Sequence, residues 1–195
     1  MAAVDNVCMV ESATLRERLV GTGVDLLEEV GAAQLGLRAI TRAAGVSHGA
    51  PRRYFPTHRA LLAAIAARGF ADLIDRFAAA DPGGSARDRL ARMSVEYVEF
   101  AGERPEMFTL MFRHDLLEGS GENLRATTLP LFGRFVVLVT EAAETGSVDA
   151  AQRAIALWTN LHGIAALQAN RSLRLVAPTA DLRALVDRAL ELHLT

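Results

Sequence analysis

An all-α protein is the expectation, and three observations carry it. Of the 99 apolar residues in the 195-residue chain, 35 are Ala and 27 are Leu, while Val and Ile together supply only 20. That balance favours helix formers over strand formers. Apolar residues recur at helical spacing along the chain, and no stretch alternates convincingly enough for a sheet. Gly, Pro and Ser punctuate these segments at helix-length intervals. The length suits one long domain or two short ones around a sizeable core.

Each element follows from periodicity and end signals. Residues 12–30 place Leu15, Leu19, Val24, Leu27 and Val30 at helical spacing, with Ser12 as N-cap and Gly31 as the stop. A short second helix, Leu37 to Ala44, ends at Gly45-Val46. Ser47 then caps a third helix of about eight residues, His48 to Phe55, which Pro56 terminates. Two short helices joined at Gly45 make a helix-turn-helix pattern. Thr57 caps a fourth helix over roughly 58–80, with Leu61, Leu62, Ile65, Phe70, Leu73, Ile74 and Phe77 on its buried side, and Pro82-Gly83-Gly84 closes it. Five further helices are expected at about 85–102, 105–117, 122–144, 148–172 and 179–193. Their boundaries are Gly102/Pro105, Glu118 to Gly121, Gly146-Ser147 and Ala177 to Thr179. Pro130 implies a kink or break near Ala126. About nine helices result, in three parts: an N-terminal three-helix module over 12–57, a connecting helix over 58–80, and a C-terminal helical bundle over 85–195.

Several function classes drop out. The longest apolar run, Leu61 to Ala67, is far short of the roughly 20 residues that span a bilayer. The first ten residues hold Asp5 and no basic residue, unlike the start of a secretory signal, so a cytoplasmic location without membrane attachment is expected. The single cysteine, Cys8, expected in a ragged N-terminal arm, rules out an internal disulfide and lacks a nearby partner to activate it. His-Glu-x-x-His, phosphate-loop and Gly-x-Ser-x-Gly motifs are missing, as is any Cys/His cluster at metal spacing. No enzyme activity, metal or cofactor is therefore expected.

Charge is unevenly distributed. Glu29 and Asp72 bracket 42 residues that contain six arginines and no acid, whereas the chain from Asp72 onward carries net −4. Such polarity suits a protein that sets one end on a polyanion. All 21 basic residues are Arg, a bias that fits GC-rich coding.

The acid-free window also holds the helix-turn-helix pattern. Gly45 supplies the freedom for a sharp turn, and Ala43 and Ala44 permit close helix crossing. Ser47, His48, Gly49 and Ala50 are small or hydrogen-bonding groups that let a helix approach base edges in a major groove. Arg52 and Arg53 can bond guanine bidentately or grip phosphate, and Arg38 and Arg42 would face the sugar-phosphate backbone. Tyr54, His58 and the helix N-terminus at Thr57 are placed to hold phosphates. Phe55, Val46, Ile40 and Leu61 are assigned to the core. The stretch from Leu37 to Leu62, LRAITRAAGVSHGAPRRYFPTHRALL, resembles the DNA-binding domain of the TetR family of bacterial transcriptional regulators. Its carriers are Ala43 to Ser47, Gly49, Tyr54-Phe55 and the Pro-Thr before a Leu-Leu helix. This sequence departs from the family pattern with Pro51 and Arg52 in place of the usual Leu and Tyr, and with His58 where a Lys is frequent.

Beyond residue 85 most bulky groups are expected to be core. On the 148–172 helix, Ile155, Trp158, His162 and Ala165 share a stripe, and the segment from Leu157 to Gly163 resembles the Trp…His-Gly signature of one C-terminal subgroup of the same family. That resemblance implies an enclosed small-molecule pocket, for which Tyr97, Phe108, Met111, Phe112, Phe135, Trp158 and His162 are the candidates. Asn160 and Gln168 are weaker polar candidates, and His114 could gate an entrance. The helices 148–172 and 179–193 are apolar enough to pair with a symmetry mate, predicting a homodimer on a near-palindromic double-stranded DNA operator. The resemblance implies a ligand-responsive regulator, most often a repressor released by a small-molecule inducer. A helical protein-protein adaptor without specific DNA binding is the alternative.

Overall fold

The computed structural model describes residues 2–47, 49–143 and 149–194. Its elements are α1 (Ala2–Val30), α2 (Leu37–Ala43), a 3-10 turn (Ala50–Arg53), α3 (His58–Ala79), α4 (Ala86–Glu103), α5 (Pro105–Met111), α6 (His114–Leu117), α7 (Arg125–Ala142), α8 (Ala150–Ala169), α9 (Leu173–Val176) and α10 (Leu182–Leu194). The described residues contain no strand, as the composition predicts. They form two compact units, one of residues 1–69 with 110–122, the other of 70–109 with 123–195.

In the first unit, α1 starts ten residues before the expected Ser12 and takes in the stretch read as a ragged arm. No Gly or Pro lies between Ala2 and Ser12, so nothing in the sequence stops the helix from extending. It ends where predicted, at Gly31, whose φ of +74 suits a glycine and whose N–H bonds the Leu27 carbonyl at 2.9 Å. Gly23 on α1 faces Ile65 of α3; a Cβ there would meet Ile65 Cδ1. The missing side chain is what lets the two helices approach. Leu19, Leu27, Leu35, Ile40, Leu61 and Ile65 are fully buried around this crossing.

The expected third helix over 48–55 is instead a 3-10 turn over Ala50–Arg53. Pro51 explains the difference, because it has no N–H to bond the Ser47 carbonyl and its ring would clash with that carbonyl in an α-helix. Pro56 pushes Phe55 out of helical geometry from the other side. Thr57 caps α3 as expected, its Oγ1 accepting from the Ala60 N–H at 3.1 Å.

In the second unit, α4 packs against α7, α8 and α10, and α8 also meets α7 and α10. Leu90, Val98, Phe100, Leu157, Leu161, Val186 and Leu190 fill the centre. Ser85 caps α4 by accepting from the Asp88 N–H, and its hydroxyl donates to the Asp88 carboxylate. The expected 105–117 helix is divided at Arg113, whose ψ of 74 leaves the helical range and whose guanidinium bonds Asp115 at both oxygens. The expected 148–172 helix stops at Ala169, and Arg171 turns the chain with a φ of +62. α7 begins at Arg125, beside the expected break, and stays helical through Pro130. Pro130 lies in its second turn, where the bond to the Ala126 carbonyl is forgone. The boundary expected at Gly146-Ser147 lies outside the described residues.

The Gly23 crossing yields a stability prediction. Gly23→Val should lower unfolding free energy by about 1–3 kcal/mol, because a branched side chain must displace Ile65 and Ile40. Urea denaturation followed by circular dichroism measures it, and an unchanged midpoint would refute the close approach.

Candidate nucleic-acid interface and aromatic site

The helix-turn-helix segment presents polar and basic groups outward over an apolar anchor. Gly45 has a φ of +66, and the Val46 N–H bonds the Thr41 carbonyl at 3.0 Å, closing the turn after α2. Thr41 is fully buried, its hydroxyl satisfied by the Arg38 carbonyl at 3.1 Å. Beyond the turn, Ser47, Gly49, Arg52 and Arg53 are exposed, Ala50 and Tyr54 are half-buried, and Pro51 and Phe55 point inward. Phe55 is 1% exposed and lies beneath the Arg16 guanidinium, 5.4 Å from its ring centroid. Arg16 also bonds Glu122 at 2.6 Å, so one side chain of α1 ties together the anchor and the 118–122 loop.

Arg38, Arg42, Arg52, Arg53 and Arg59 are all exposed, and none forms an ion pair among the described residues. Uncompensated guanidiniums on one module create the positive field that a phosphate backbone answers. His58 departs from this pattern, since its Nε2 lies 2.6 Å from the Leu35 carbonyl. That bond fixes the ring against the α1–α2 connection and leaves only Nδ1 to meet another group.

The second unit holds a cluster of rings. Tyr97 Oη lies 2.7 Å from His162 Nδ1. The His162 ring stacks on Trp158 with centroids 5.2 Å apart and meets Phe108 at 5.4 Å. Tyr97 and Phe108 make an edge-to-face pair at 5.5 Å, and Phe132 joins Trp158 at 6.1 Å and Phe135 at 6.0 Å. Burial pushes the Tyr97 hydroxyl pKa far above its ordinary value, and a hydrogen bond with Trp158 opposes this. An indole N–H can only donate, so Tyr97 Oη accepts from Trp158, while the direction of its bond with His162 Nδ1 is set by the imidazole tautomer. Burial also holds the His162 pKa below the ordinary histidine value.

Comparison with known proteins decides between a polyanion-binding regulator and a helical adaptor. Residues 19–65 match the family described as bacterial regulatory proteins, tetR family, and residues 90–193 match the tetracyclin repressor-like C-terminal domain. The chain belongs to the tetR family. It is a DNA-binding transcriptional regulator with a helix-turn-helix at its N-terminal end. A Rhodococcus sp. RHA1 protein of unknown function is 31% identical over 92% of this chain and 93% of that chain, with a TM-score of 0.78. A transcriptional regulator from the same organism is 23% identical over 92% and 95% of the two chains, with a TM-score of 0.75. The regulator FadR from Bacillus subtilis, solved with stearoyl-CoA, is 16% identical over 92% and 97%, with a TM-score of 0.67. These last two share the fold. No curated protein matches the sequence.

Within this tetR-family chain the structure joins some expected residues and separates others. Tyr97, Phe108, Trp158 and His162 meet directly, and Phe135 joins them through Phe132. Met111, 2% exposed, and Phe112 belong to the other compact unit, together with the exposed His114. Asn160 is exposed on α8. His48 lies outside the described residues. Sequence reasoning passed over Phe132 and Arg16. Phe132 was findable, because it sits one turn before Phe135, whereas nothing local marks Arg16 as the partner of a ring 39 positions away.

His162 gives a pH prediction whose sign follows from its depressed pKa. The unfolded chain binds that proton more readily, so the contribution is fully present above about pH 6.5 and is lost as pH falls through the lower folded pKa. His162→Gln should therefore flatten the loss of stability between about pH 7 and pH 5, read from urea midpoints. Identical slopes in the two proteins would contradict a buried neutral imidazole.

Proposed function

We propose that this regulator is a homodimeric repressor that holds a near-palindromic operator through residues 37–58 and releases it when a small molecule enters the C-terminal unit. The observation that carries the reading is the set of unpaired, exposed guanidiniums on the acid-free helix-turn-helix module. Residues 12–57 serve as the operator-binding module, 58–80 as the connecting helix and 85–195 as the ligand-binding and dimerisation domain. Ser47, His48, Gly49 and Ala50 approach base edges, and Arg52 and Arg53 read guanine or clamp phosphate. Arg38, Arg42, Tyr54 and the first backbone amides of α3 at Thr57 and His58 hold the sugar-phosphate backbone. His58 contributes through its backbone and its free ring nitrogen, since Nε2 is committed to Leu35.

Dimerisation through α8 and α10 is supported by apolar groups left in solvent. Ile155 is 50% exposed, Leu167 40% and Leu192 55%, and Gly163 between the two α8 residues has nothing within 4 Å of a Cβ position. A bare glycine flanked by large apolar residues lets a symmetry-related helix come close. The effector is assigned to Tyr97, Phe108, Phe135, Trp158 and His162, all of the second unit, whereas the expected Met111 and Phe112 belong to the first. An apolar molecule with one hydrogen-bonding group suits the rings of Phe108, Phe132, Phe135 and Trp158 clustered with a Tyr–His pair. FadR from Bacillus subtilis binds stearoyl-CoA on this fold, which makes acyl thioesters a sensible first set of effectors to screen. The segment from Leu157 to Gly163 is the proposed mark of the C-terminal subgroup. The repressor acts when effector binding favours a conformation of lower operator affinity.

Selection from a random duplex pool at two salt concentrations should enrich a near-palindrome with half-sites about one helical turn apart. Salt-sensitive binding without any motif would refute sequence-specific recognition. Arg53→Ala should then weaken binding to every sequence and reduce the salt slope by about 1 if it grips phosphate, or relax selectivity at one base pair if it reads guanine. Trp158→Ala should abolish the effector response while leaving operator affinity within about twofold, because the ring lies in the other compact unit. Equal loss of both would mark Trp158 as structural.

A further inference from the structure

A cleft of about 330 Å3 opens where the C-terminal end of α8 meets the junction of α4 and α5. Gly102, Pro105, Gln168, Arg171 and Arg174 line it, all within the second unit and none belonging to the aromatic cluster. Arg171 and Arg174 both line this space, and neither forms an ion pair among the described residues. Several other arginines of the unit are committed to acids: Arg76 to Glu103, Arg89 to Asp81, Arg104 to Asp72 and Arg188 to Glu191. Glu103, the carboxylate beside Gly102, is thereby engaged by Arg76 at 2.6 Å.

The backbone is shaped to present the pair. Arg171 is the one non-glycine residue with positive φ among the described residues, at +62. An L residue in that conformation is uncommon. The turn is held by the Arg171 N–H on the Gln168 carbonyl at 3.1 Å and the Ser172 N–H on Asn170 Oδ1 at 2.9 Å. Gly102 plays the complementary part, for a Cβ there would stand 2.9 Å from Gln168 Nε2 and 3.0 Å from its Cγ. The bare backbone gives the Gln168 amide room to lie across the end of α4, beside the cleft.

We propose that this cleft binds a small phosphate ester. Two guanidiniums match a phosphate dianion in charge, whereas a single carboxylate would leave half of their charge unanswered. The Gln168 amide supplies donors and an acceptor for a hydroxyl-bearing organic part, and the Pro105 ring gives that part an apolar wall. The volume is at the low end for ligand sites, which fits a small polyol phosphate rather than a long acyl chain. The site stands independently of the operator and effector assignments.

The test is isothermal titration calorimetry of the full chain at low salt with glycerol 3-phosphate, using glycerol and acetate as controls. Saturable binding of one glycerol 3-phosphate per chain is expected, with neither control saturating. Arg171→Gln/Arg174→Gln should weaken it at least about 10-fold. Both arginines are exposed, so the double variant should keep the wild-type melting temperature. Gly102→Ala should weaken binding without changing charge, by displacing Gln168. Arg52→Gln/Arg53→Gln, which alters only the operator-facing module, should bind as the wild type does. The proposal falls if binding does not saturate, if acetate binds equally, or if Arg52→Gln/Arg53→Gln loses binding while Arg171→Gln/Arg174→Gln retains it.

Discussion

Phe55, buried beneath the Arg16 guanidinium, is the contact on which the helix-turn-helix surface depends. Ser47, Gly49, Arg52 and Arg53 stand outward, and a four-residue 3-10 turn has too few hydrogen bonds to hold itself. Its order comes from the inward-pointing Pro51 and Phe55 on either flank of the two exposed arginines. Arg16 covers the Phe55 ring and reaches Glu122, so α1 acts as a brace as well as a packing partner. The Gly23–Ile65 approach seats that brace against α3.

The same amino acid serves opposite ends in the two units. On the helix-turn-helix module, arginines stand without carboxylates and make a field. In the second unit several arginines meet acids instead, as in the two-pronged Arg89–Asp81 contact at 2.7 to 3.0 Å, which joins α4 to the segment before it. Such exposed pairs add little stability individually. Their effect is to cancel charge locally, whereas Arg171 and Arg174, side by side at one cleft, keep theirs.

Much of this was legible in the sequence, and the exceptions share a cause. Helix ends came from local chemistry: Gly31 after α1, Pro56-Thr57 before α3, and Pro82-Gly83-Gly84 before α4 all act within a few residues of themselves. The length of α1 was not legible, because Ser12 is a good cap only when the preceding residues resist helix, and Ala2 to Glu11 do not. The replacement of a helix by a 3-10 turn at Pro51 followed from a bond to a carbonyl four residues back, a cost that periodicity does not register. At the aromatic site, Trp158 and His162 were readable as neighbours one turn apart on α8. The Tyr97–His162 bond spans 65 positions and depends on how α4 crosses α8, so only the fold supplies it. Gly102 and Gly23 were invisible for a related reason, since their importance lies in the side chain that another helix brings to them.

The absence of lysine has a consequence for how this regulator can be controlled. Every cationic side chain on the helix-turn-helix module apart from histidine is a guanidinium, which stays protonated across the whole physiological range. With no ε-amino group anywhere in the chain, lysine acetylation cannot erase its charge, and arginine methylation would preserve it. The charge of this surface is therefore closed to lysine acetylation, and moving the arginines or raising the ionic strength around them would loosen its hold on a polyanion without altering any of them.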